Sequence, residues 1–539
     1  MPYPSRMSAT HEVFNQPPPL RGINSFLSHR ALVDAVDREG AGWASAELTH
    51  VGALAGSDEA REWGRTAEAN RPILHTHDRF GERIDRVEYH PSYHRLMETA
   101  VANGLGAAAW ADERQGSHVA RCAKTIVWSP VDYGHMCPLS MTYAVVAVLR
   151  EAPAIPRGLI SGLTGREYDR RDLPTGEKDG LTAGMAMTEK QGGSDVRAST
   201  TRAVLAEGTE YSLTGHKWFC SAPMSDVFLV LAQAAGGLTC FLMPRLRPDG
   251  TRNGISIMRL KDKMGDRSNA SSEIELGDAV AWRVGEEGRG VATIIEMVNR
   301  TRLDCALGAA AQMRHGVVEA VHHARHRAAF GKALAEQPLM RRVLADLAVE
   351  SEAATVAAMR LAGAYDRGES DFARLATPFV KYWLTKRVPG HAAEALECLG
   401  GNGFVEDSGM PRLFRQSPLN GIWEGSGNVI CLDVLRAAER SPEAVDAFLA
   451  ELDAASGADL RYDAAVDSIR ELLEETDPSG ARRLVERAAI ALQASLLLRY
   501  APQALADAFI ASRIAEPGLA YGAQTADPAV DPILERVLA

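Results

Sequence analysis

The spacing of hydrophobic residues changes twice along the chain, and this change limits the possible folds. Apolar residues recur at helical intervals through most of residues 1–180, and short β-type runs separated by glycine turns occupy residues 181–285. Helical spacing then returns in residues 286–440 and continues in residues 441–539. The pattern predicts a mostly α-helical protein with a central antiparallel β-domain, divided into these four regions.

The composition limits the classes of function. A chain of 539 residues exceeds one hydrophobic core, so several domains are expected. The net charge of −11 gives no general attraction to nucleic acid or acidic membranes. Any DNA binding must therefore come from a local patch of cations.

The chain carries no pattern of a secreted or membrane protein. Its seven cysteines are an odd number and include no C-x-x-C pair, which argues against a disulfide framework or a zinc ribbon. Residues 1–14 have no apolar stretch like that of a secretory signal. The apolar run from Val227 to Met243 is interrupted by Gln233 and two glycines, which favours two buried strands around a turn. We expect a cytoplasmic protein.

Two clusters of candidate ligand-binding residues lie in the β-region. Met187 to Asp195 contains two adjacent glycines, which let main-chain amides approach a ligand, and the hydroxyls of Thr188 and Ser194. An ordinary glycine turn is the alternative. Gly215 to Ser221 combines aromatic residues, a cation and a hydroxyl, although such aromatics are more often part of a core than of a cofactor wall.

A third cluster lies in the following helical region. It consists of Leu399 to Phe404 and Ile422 to Asn428. Glu424 stands between Trp423 and Gly425, and partly desolvated aromatic surroundings would suit it to act as a general base. A solvated loop glutamate is the alternative for any such residue taken alone.

In order and spacing, the three clusters resemble the acyl-CoA dehydrogenase family. That family carries a T-E-x-x-x-G-S-D loop, a G-x-K-x-[WF] strand, an L-G-G-x-G-[FY] turn and a [YW]-E-G loop. Further matches are Lys263 to Arg267, Thr301-Arg302, and Arg327 to Gly331 with Gln337. The resemblance implies the acyl-CoA dehydrogenase fold with an added C-terminal helical domain.

Other features single out the branch of the family linked to the adaptive response against DNA alkylation. These are the opening residues His11 to Leu20, Lys190-Gln191 after the glutamate, Trp423 to Asn428, and about 100 extra C-terminal residues. Gly427-Asn428 and the register of Trp218-Phe219 depart from the usual family pattern. This branch implies a restricted substrate cavity and feeble acyl-CoA turnover.

The resemblance also implies a cofactor, an assembly and residue roles. FAD would be bound by Met187, Thr188, Ser194, Phe219, Cys220, Ser221, Trp423 and Asn428. Arg327, Phe330 and Gln337 match positions that reach the FAD of a neighbouring subunit, which implies a homotetramer built as a dimer of dimers. Glu424 would take the α-proton of an acyl thioester while the β-hydride passes to the flavin.

The same branch implies a DNA-binding C-terminal domain, but the charge there is unfavourable. Residues 441–539 contain eight arginines, no lysine and 17 acidic residues, a balance of −9. Two pairs at i,i+4 spacing could still form a local double-stranded DNA site, Arg436 with Arg440 and Arg483 with Arg487. Pairing of these arginines with Glu439, Glu474 or Glu486 is the alternative.

His322 and His326 share a helix face with the spacing of metal ligands. A zinc site needs a third ligand and supporting hydrogen bonds, and Arg325 and Arg327 favour a mixed polar face instead. We expect no metal.

The sequence leaves three functional hypotheses. The first is an FAD protein that protects DNA from alkylation damage, with DNA binding and weak or no acyl-CoA dehydrogenase activity. The second is an ordinary acyl-CoA dehydrogenase with a C-terminal oligomerisation domain. The third is a flavin-stabilised protein that coats DNA without turnover. Flavin bleaching by acyl-CoA and salt-sensitive DNA retardation distinguish them.

Overall fold

The computed structural model describes residues 10–112, 114–152, 155–474, 477–524 and 529–538. Residues 1–9, part of the segment judged to lack a secretory signal, lie outside the described residues. The chain divides into two compact units. Unit 1 comprises residues 1–58, 122–130 and 305–539, and unit 2 comprises residues 59–121 and 131–304.

Helices make up most of the described chain. Those up to residue 326 are α1 (Arg30–Arg38), α2 (Ser45–Ala55), α3 (Asp58–Ala69), α4 (Pro91–Ala102), α5 (Ser117–Trp128), α6 (Met136–Leu149), α7 (Arg157–Thr164) and α8 (Gly290–His326). Those that follow are α9 (Pro338–Arg367), α10 (Ser370–Glu397), α11 (Met410–Gln416), α12 (Gly427–Arg440), α13 (Pro442–Asp453), α14 (Leu460–Glu474), α15 (Ala481–Tyr500), α16 (Gln503–Ile510) and α17 (Val530–Glu535).

Seven strands of unit 2 form one sheet. They are β3 (Ala183–Ala186), β4 (Arg202–Glu207), β5 (Glu210–Ser221), β6 (Val227–Ala234), β7 (Gly237–Pro244), β8 (Ile255–Leu260) and β9 (Ser271–Val284). The pairings β6–β4–β5–β9–β7–β6 make a closed circuit, to which β3 adds at β6 and β8 at β9. A separate hairpin, β1 (Ile73–His77) and β2 (Arg83–Glu88), precedes the sheet. Closure leaves few free edges on the β-domain.

The hydrophobic run from Val227 to Met243 forms a hairpin, as its interruption by glycines predicted. Strands β6 and β7 pair from Val227 with Pro244 to Ala234 with Gly237. Gly237 has φ 109, a value that residues with a side chain rarely adopt. Most pairings are antiparallel, but β6 runs parallel to β3 and β4, so the predicted antiparallel domain contains a mixed sheet.

Unit 1 is organised around helix α10. This helix packs against α9, α11, α12, α13 and α15, and most of its residues as far as Thr385 are buried. The segment that follows α16 is fixed by a buried ion cluster. In this cluster Arg513 bonds Asp346 at 2.6 Å and Glu350 at 2.8 Å. The predicted fold class is confirmed, because the protein is mostly helical and has a central sheet and a helical C-terminal region. The four-region division remains a prediction.

Unit 1 also contains a short hairpin between α8 and α9. Its strands are β10 (Ala328–Ala329) and β11 (Lys332–Ala333), paired antiparallel. Phe330 and Gly331 at the turn have φ 52 and 80, which suits a tight two-residue hairpin turn.

Candidate functional site

The glycine-rich turn of unit 2 is ordered by a buried carboxylate. Glu189 is fully buried and accepts a hydrogen bond from Lys217 Nζ at 2.8 Å. It also accepts bonds from the main-chain amides and hydroxyls of Thr200 and Thr201. The side chain of Glu189 therefore holds the turn in place.

The charge state of this carboxylate follows from its contacts. Burial alone raises the pKa of Glu189, but the hydrogen bond from Lys217 and those from the two threonines outweigh burial and hold the pKa well below its usual range. Lys217 also donates to Leu231 O at 2.7 Å, so it joins the turn to strand β6. Both residues lie within the sequence clusters, but their organising role appeared only in the structure.

The predicted cofactor residues of this turn lie at its surface. Ser194 is exposed and Thr188 is partly buried, while Thr188 O accepts a hydrogen bond from Trp218 N at 2.8 Å. A Cβ atom added to Gly193 would collide with the Thr188 side chain. Gly192 has φ 152 and open space beside it. This surface presents main-chain groups and hydroxyls that a ligand can approach.

Strand β5 ends beside this turn. Phe219 is 49% exposed, although it is large and apolar, whereas Cys220 is 1% exposed. Burial raises the pKa of the Cys220 thiol to about 12. The Ser221 and Ser271 hydroxyls lie 3.1 Å apart. All six predicted cofactor residues of this region lie in unit 2, and the bond from Trp218 N to Thr188 O joins the turn to strand β5.

Glu424 lies in a loop that a buried lysine holds. Lys381 on α10 is fully buried, and its Nζ donates to Trp423 O at 2.9 Å and to Gly425 O at 2.7 Å. The two acceptors belong to the residues on either side of Glu424. Glu424 itself has φ 57, a left-handed conformation that is uncommon for a residue with a side chain. The lysine therefore fixes the main chain from which the Glu424 side chain projects.

The remainder of this loop leads into helix α12. The indole nitrogen of Trp423 donates to Asn420 Oδ1 at 2.9 Å. Arg482 Nε, at the start of α15, donates to Asn428 Oδ1 at 2.8 Å. The Asn428 side chain, predicted to contact FAD, therefore has a protein partner in the C-terminal region.

The three residues predicted to reach a neighbouring subunit lie on or next to the β10–β11 hairpin of unit 1. Phe330 is 100% exposed at its tip. Gln337 Nε2 donates to Ala329 O at 3.0 Å, so this side chain supports the hairpin. A fully exposed phenylalanine is what a contact with another molecule would require.

The four predicted DNA-binding arginines lie on two helices that pack against each other. Arg436 and Arg440 are exposed on α12, and Arg483 and Arg487 are exposed on α15. Carboxylates bind Arg499 of α15 and four arginines elsewhere in the C-terminal region, namely Arg461, Arg470, Arg513 and Arg536.

His322 and His326, which have the spacing of metal ligands, make contacts within the protein. His322 Nε2 donates to Pro18 O at 2.8 Å, and the rings of His322 and His326 lie 4.4 Å apart. Within the described ranges, no group of three or more His, Cys, Asp or Glu residues could hold a metal ion. Within the same ranges, no helix is long and apolar enough to cross a membrane.

Comparisons with known proteins agree with this arrangement. Residues 15–170 match the adaptive response protein AidB N-terminal domain, residues 184–279 the acyl-CoA dehydrogenase middle domain, and residues 288–439 the acyl-CoA dehydrogenase C-terminal domain. The putative acyl-CoA dehydrogenase AidB of Escherichia coli is 45% identical over 93% of this chain and 94% of its own. The chain belongs to the acyl-CoA dehydrogenase family, in its AidB branch.

Solved structures show the same fold. Acyl-CoA dehydrogenase ACDH-11 of Caenorhabditis elegans, in complex with C11-CoA, has a TM-score of 0.85 and 27% identity, covering 96% of this chain and 94% of its own. An acyl-CoA dehydrogenase of Bacillus anthracis complexed with FAD has a TM-score of 0.60 and 21% identity, covering 78% of this chain and 80% of its own.

FAD is the cofactor of this chain. The residues of unit 2 fit such a group. An exposed aromatic side chain, Phe219, lies near the glycine turn, whose main-chain amides and hydroxyls could hydrogen-bond the polar edge of a flavin. When bound, FAD supplies the two-electron redox chemistry that side chains lack.

Proposed function

We propose that the protein is an FAD-containing AidB-type protein that protects DNA from alkylation damage. In this proposal it binds double-stranded DNA and has weak or no acyl-CoA dehydrogenase activity. The observation that carries the proposal is the bond between Arg482 and Asn428. This bond joins the arginine-bearing helix α15 to the first turn of α12, directly after the Glu424 loop.

The distribution of charge on α12 and α15 supports DNA binding. Together the two helices carry six arginines and three carboxylates, whereas residues 441–539 as a whole have a balance of −9. Carboxylates bind Arg499 of α15 and four arginines outside the two helices, whereas Arg436, Arg440, Arg483 and Arg487 lie exposed on helices whose combined net charge is positive. Clustered arginines can bind phosphates even where the surrounding domain is acidic.

The test of DNA binding is a titration of the FAD-loaded protein with fluorescent duplex DNA at several salt concentrations. We expect the double variant Arg483→Glu/Arg487→Glu to weaken binding and to flatten the dependence on salt by roughly two phosphate contacts. The control is Arg461→Glu/Arg470→Glu, with an equal change of charge on α14. Equal losses in both variants, or no binding by the native protein at low salt, would refute this site.

The geometry of the Glu424 loop supports a residual dehydrogenase reaction. In this reaction the Glu424 carboxylate would accept the α-proton of an acyl thioester, and Lys381 would keep the loop in place. The Gly192-Gly193 turn and the end of strand β5 would orient the flavin. They would do so through Thr188, Ser194 and the main chain of residues 219–221. The C. elegans relative bound to C11-CoA supports an eleven-carbon acyl thioester as the trial substrate.

The test of this reaction is bleaching of the flavin absorbance by undecanoyl-CoA under anaerobic conditions. Glu424→Gln should abolish any bleaching and retain FAD, because only the proton acceptor is lost. Glu439→Gln, an exposed glutamate on α12, is the matched control. Bleaching that persists in Glu424→Gln would remove Glu424 from the role of base.

An ordinary acyl-CoA dehydrogenase is the second candidate, favoured by the retained Glu424 and the lysine that holds its loop. Rapid, complete bleaching by an acyl-CoA together with no DNA binding would select this candidate. Slow or absent bleaching with salt-sensitive DNA binding would select the first.

We further propose a cytoplasmic homotetramer, a dimer of dimers in which Arg327, Phe330 and Gln337 reach the FAD of a neighbouring subunit. The fully exposed Phe330 supports such a contact. Light scattering of the FAD-loaded protein should give a mass of four chains, and a monomer would refute the assembly.

A further inference from the structure

An N-terminal brace, which we define as residues 15–18, lies against the β10–β11 hairpin. Asn15 and Ala328 are 313 residues apart in sequence, yet the Asn15 side chain bonds both main-chain groups of Ala328. Asn15 Nδ2 donates to Ala328 O at 2.8 Å, and Ala328 N donates to Asn15 Oδ1 at 2.8 Å. The amide side chain thus acts as a one-residue strand added to the hairpin.

The main chain of the same residue holds Arg327. The Arg327 guanidinium donates through Nη1 to Asn15 O at 2.6 Å. Asn15 has φ 55, a left-handed conformation that asparagine adopts more readily than most residues. This conformation allows the side chain to bond Ala328 while the carbonyl accepts from Arg327.

Further contacts keep the brace in place. Asn402 Nδ2 donates to Gln16 Oε1 at 3.4 Å, and His322 Nε2 donates to Pro18 O at 2.8 Å. Pro17 and Pro18 restrict the chain to extended conformations, so less entropy is lost when the brace is ordered. The role of His322 is therefore to anchor the brace.

We propose that Asn15 is a positioning residue that presets the Arg327 side chain for FAD. The inference rests on the proposed role of Arg327 in binding the cofactor. A free arginine side chain populates many rotamers, and holding its guanidinium in advance removes part of the entropic cost of binding an anionic group. The N-terminal motif that marks this branch of the family then acts on the cofactor site without touching the cofactor.

The experiment measures the rate of FAD dissociation from the full-length holoprotein, followed by the recovery of flavin fluorescence. Asn15→Gly keeps the left-handed conformation and the main-chain carbonyl but removes the amide side chain. We expect dissociation to become about tenfold faster, the effect of one to two lost hydrogen bonds. Asn15→Asp keeps the acceptor for Ala328 N only, so its rate should fall between those of the native protein and Asn15→Gly.

Phe14→Gly is the matched control, because it adds the same backbone freedom one residue away, at an exposed position outside the brace. Its dissociation rate should stay within about twofold of the native rate. The mass by light scattering and the unfolding midpoint of the apoprotein should be the same in Asn15→Gly and Phe14→Gly. Equal acceleration in these two variants would overturn the proposal.

A double-mutant cycle identifies the path of the effect. If Asn15 acts through Arg327, Asn15→Gly will add nothing in an Arg327→Ala background. Additive effects would overturn the proposal, as would an effect of Arg327→Ala with none of Asn15→Gly. If Arg327→Ala leaves FAD binding unchanged, the proposed role of Arg327 itself fails and the inference fails with it.

Discussion

Two buried lysines, Lys217 in unit 2 and Lys381 in unit 1, each hold a loop in place, but they do so through different partners. Each is almost fully removed from water and holds a functional loop. Lys217 is paired with the Glu189 carboxylate and thereby orders the glycine turn, whereas Lys381 donates to the carbonyls of Trp423 and Gly425 around Glu424. The glycine turn is thus held by an ion pair, and the Glu424 loop is held by hydrogen bonds from a lysine to two main-chain carbonyls.

The difference suits the chemistry proposed for each loop. A carboxylate bonded to a lysine and two threonines stays ionised and cannot exchange protons near neutral pH, so Glu189 can only be structural. At the second loop the carbonyls take the hydrogen bonds of the lysine, and the glutamate they flank can serve another purpose. A buried lysine thus gives Glu189 a structural role in one loop, whereas in the other loop it leaves Glu424 as a candidate base.

The largest effect is expected when the ion pair is broken. Lys217→Met leaves the Glu189 carboxylate buried without its cation, which should lower the free energy of unfolding by about 3–5 kcal/mol. Urea denaturation of the FAD-loaded protein measures this loss. The double variant Lys217→Met/Glu189→Gln should regain part of it, and an equal loss in both variants would mean that the pair is not coupled.

Removal of the second lysine should cost less stability and more activity. Lys381→Met leaves two carbonyls without their donor, a loss of about 1–3 kcal/mol. Any bleaching by undecanoyl-CoA should slow by at least about tenfold, because the loop no longer holds Glu424 in place. Lys386→Met makes the same replacement at an exposed position of α10 and is the control. Comparable bleaching in the two variants would contradict the role of Lys381.

Acid should weaken only the ion-paired loop. The folded pKa of Glu189 lies below its ordinary value of 4.5, so its contribution to stability is complete above that pH and declines as the pH falls below it. From pH 5 to pH 3, native protein should lose up to about 1.4 kcal/mol per pH unit relative to Lys217→Met/Glu189→Gln. Parallel stability profiles for the two proteins would show that the pair does not govern this dependence.

The smallest expected effects come from replacing one glycine in each loop with alanine and measuring FAD binding. A Cβ atom at Gly193 would collide with the short, fixed side chain of Thr188, whereas one at Gly427 would lie 3.1 Å from the flexible end of Lys386 and 3.2 Å from Tyr382. Gly193→Ala should therefore weaken FAD binding severalfold, and Gly427→Ala should change it by less. Fluorescence titration of the apoproteins with FAD tests the order, and the reverse order would contradict it.

Much of the fold and the candidate site was predictable because local signals were strong. The glycines around Val227 to Met243 predicted the β6–β7 hairpin, and the spacing of motifs predicted the family. The parallel pairing of β6 with β3 and β4 could not be predicted, because the partners of a strand depend on how the entire sheet packs. The contact of Asn428 with Arg482 was missed for a similar reason, since the partner lies 54 residues away.

The sequence by itself determined the order of helical and β regions and the family, and it supplied the candidate residues of the site, because each depends on local spacing and composition. The tertiary structure decided which of these residues organise the others. Glu189 had no assigned role until Lys217 and the two threonines were found around it, and the N-terminal motif had none until Asn15 was found bonded to Ala328. Burial and long-range hydrogen bonds assign such roles, and neither is encoded in the spacing of neighbouring residues.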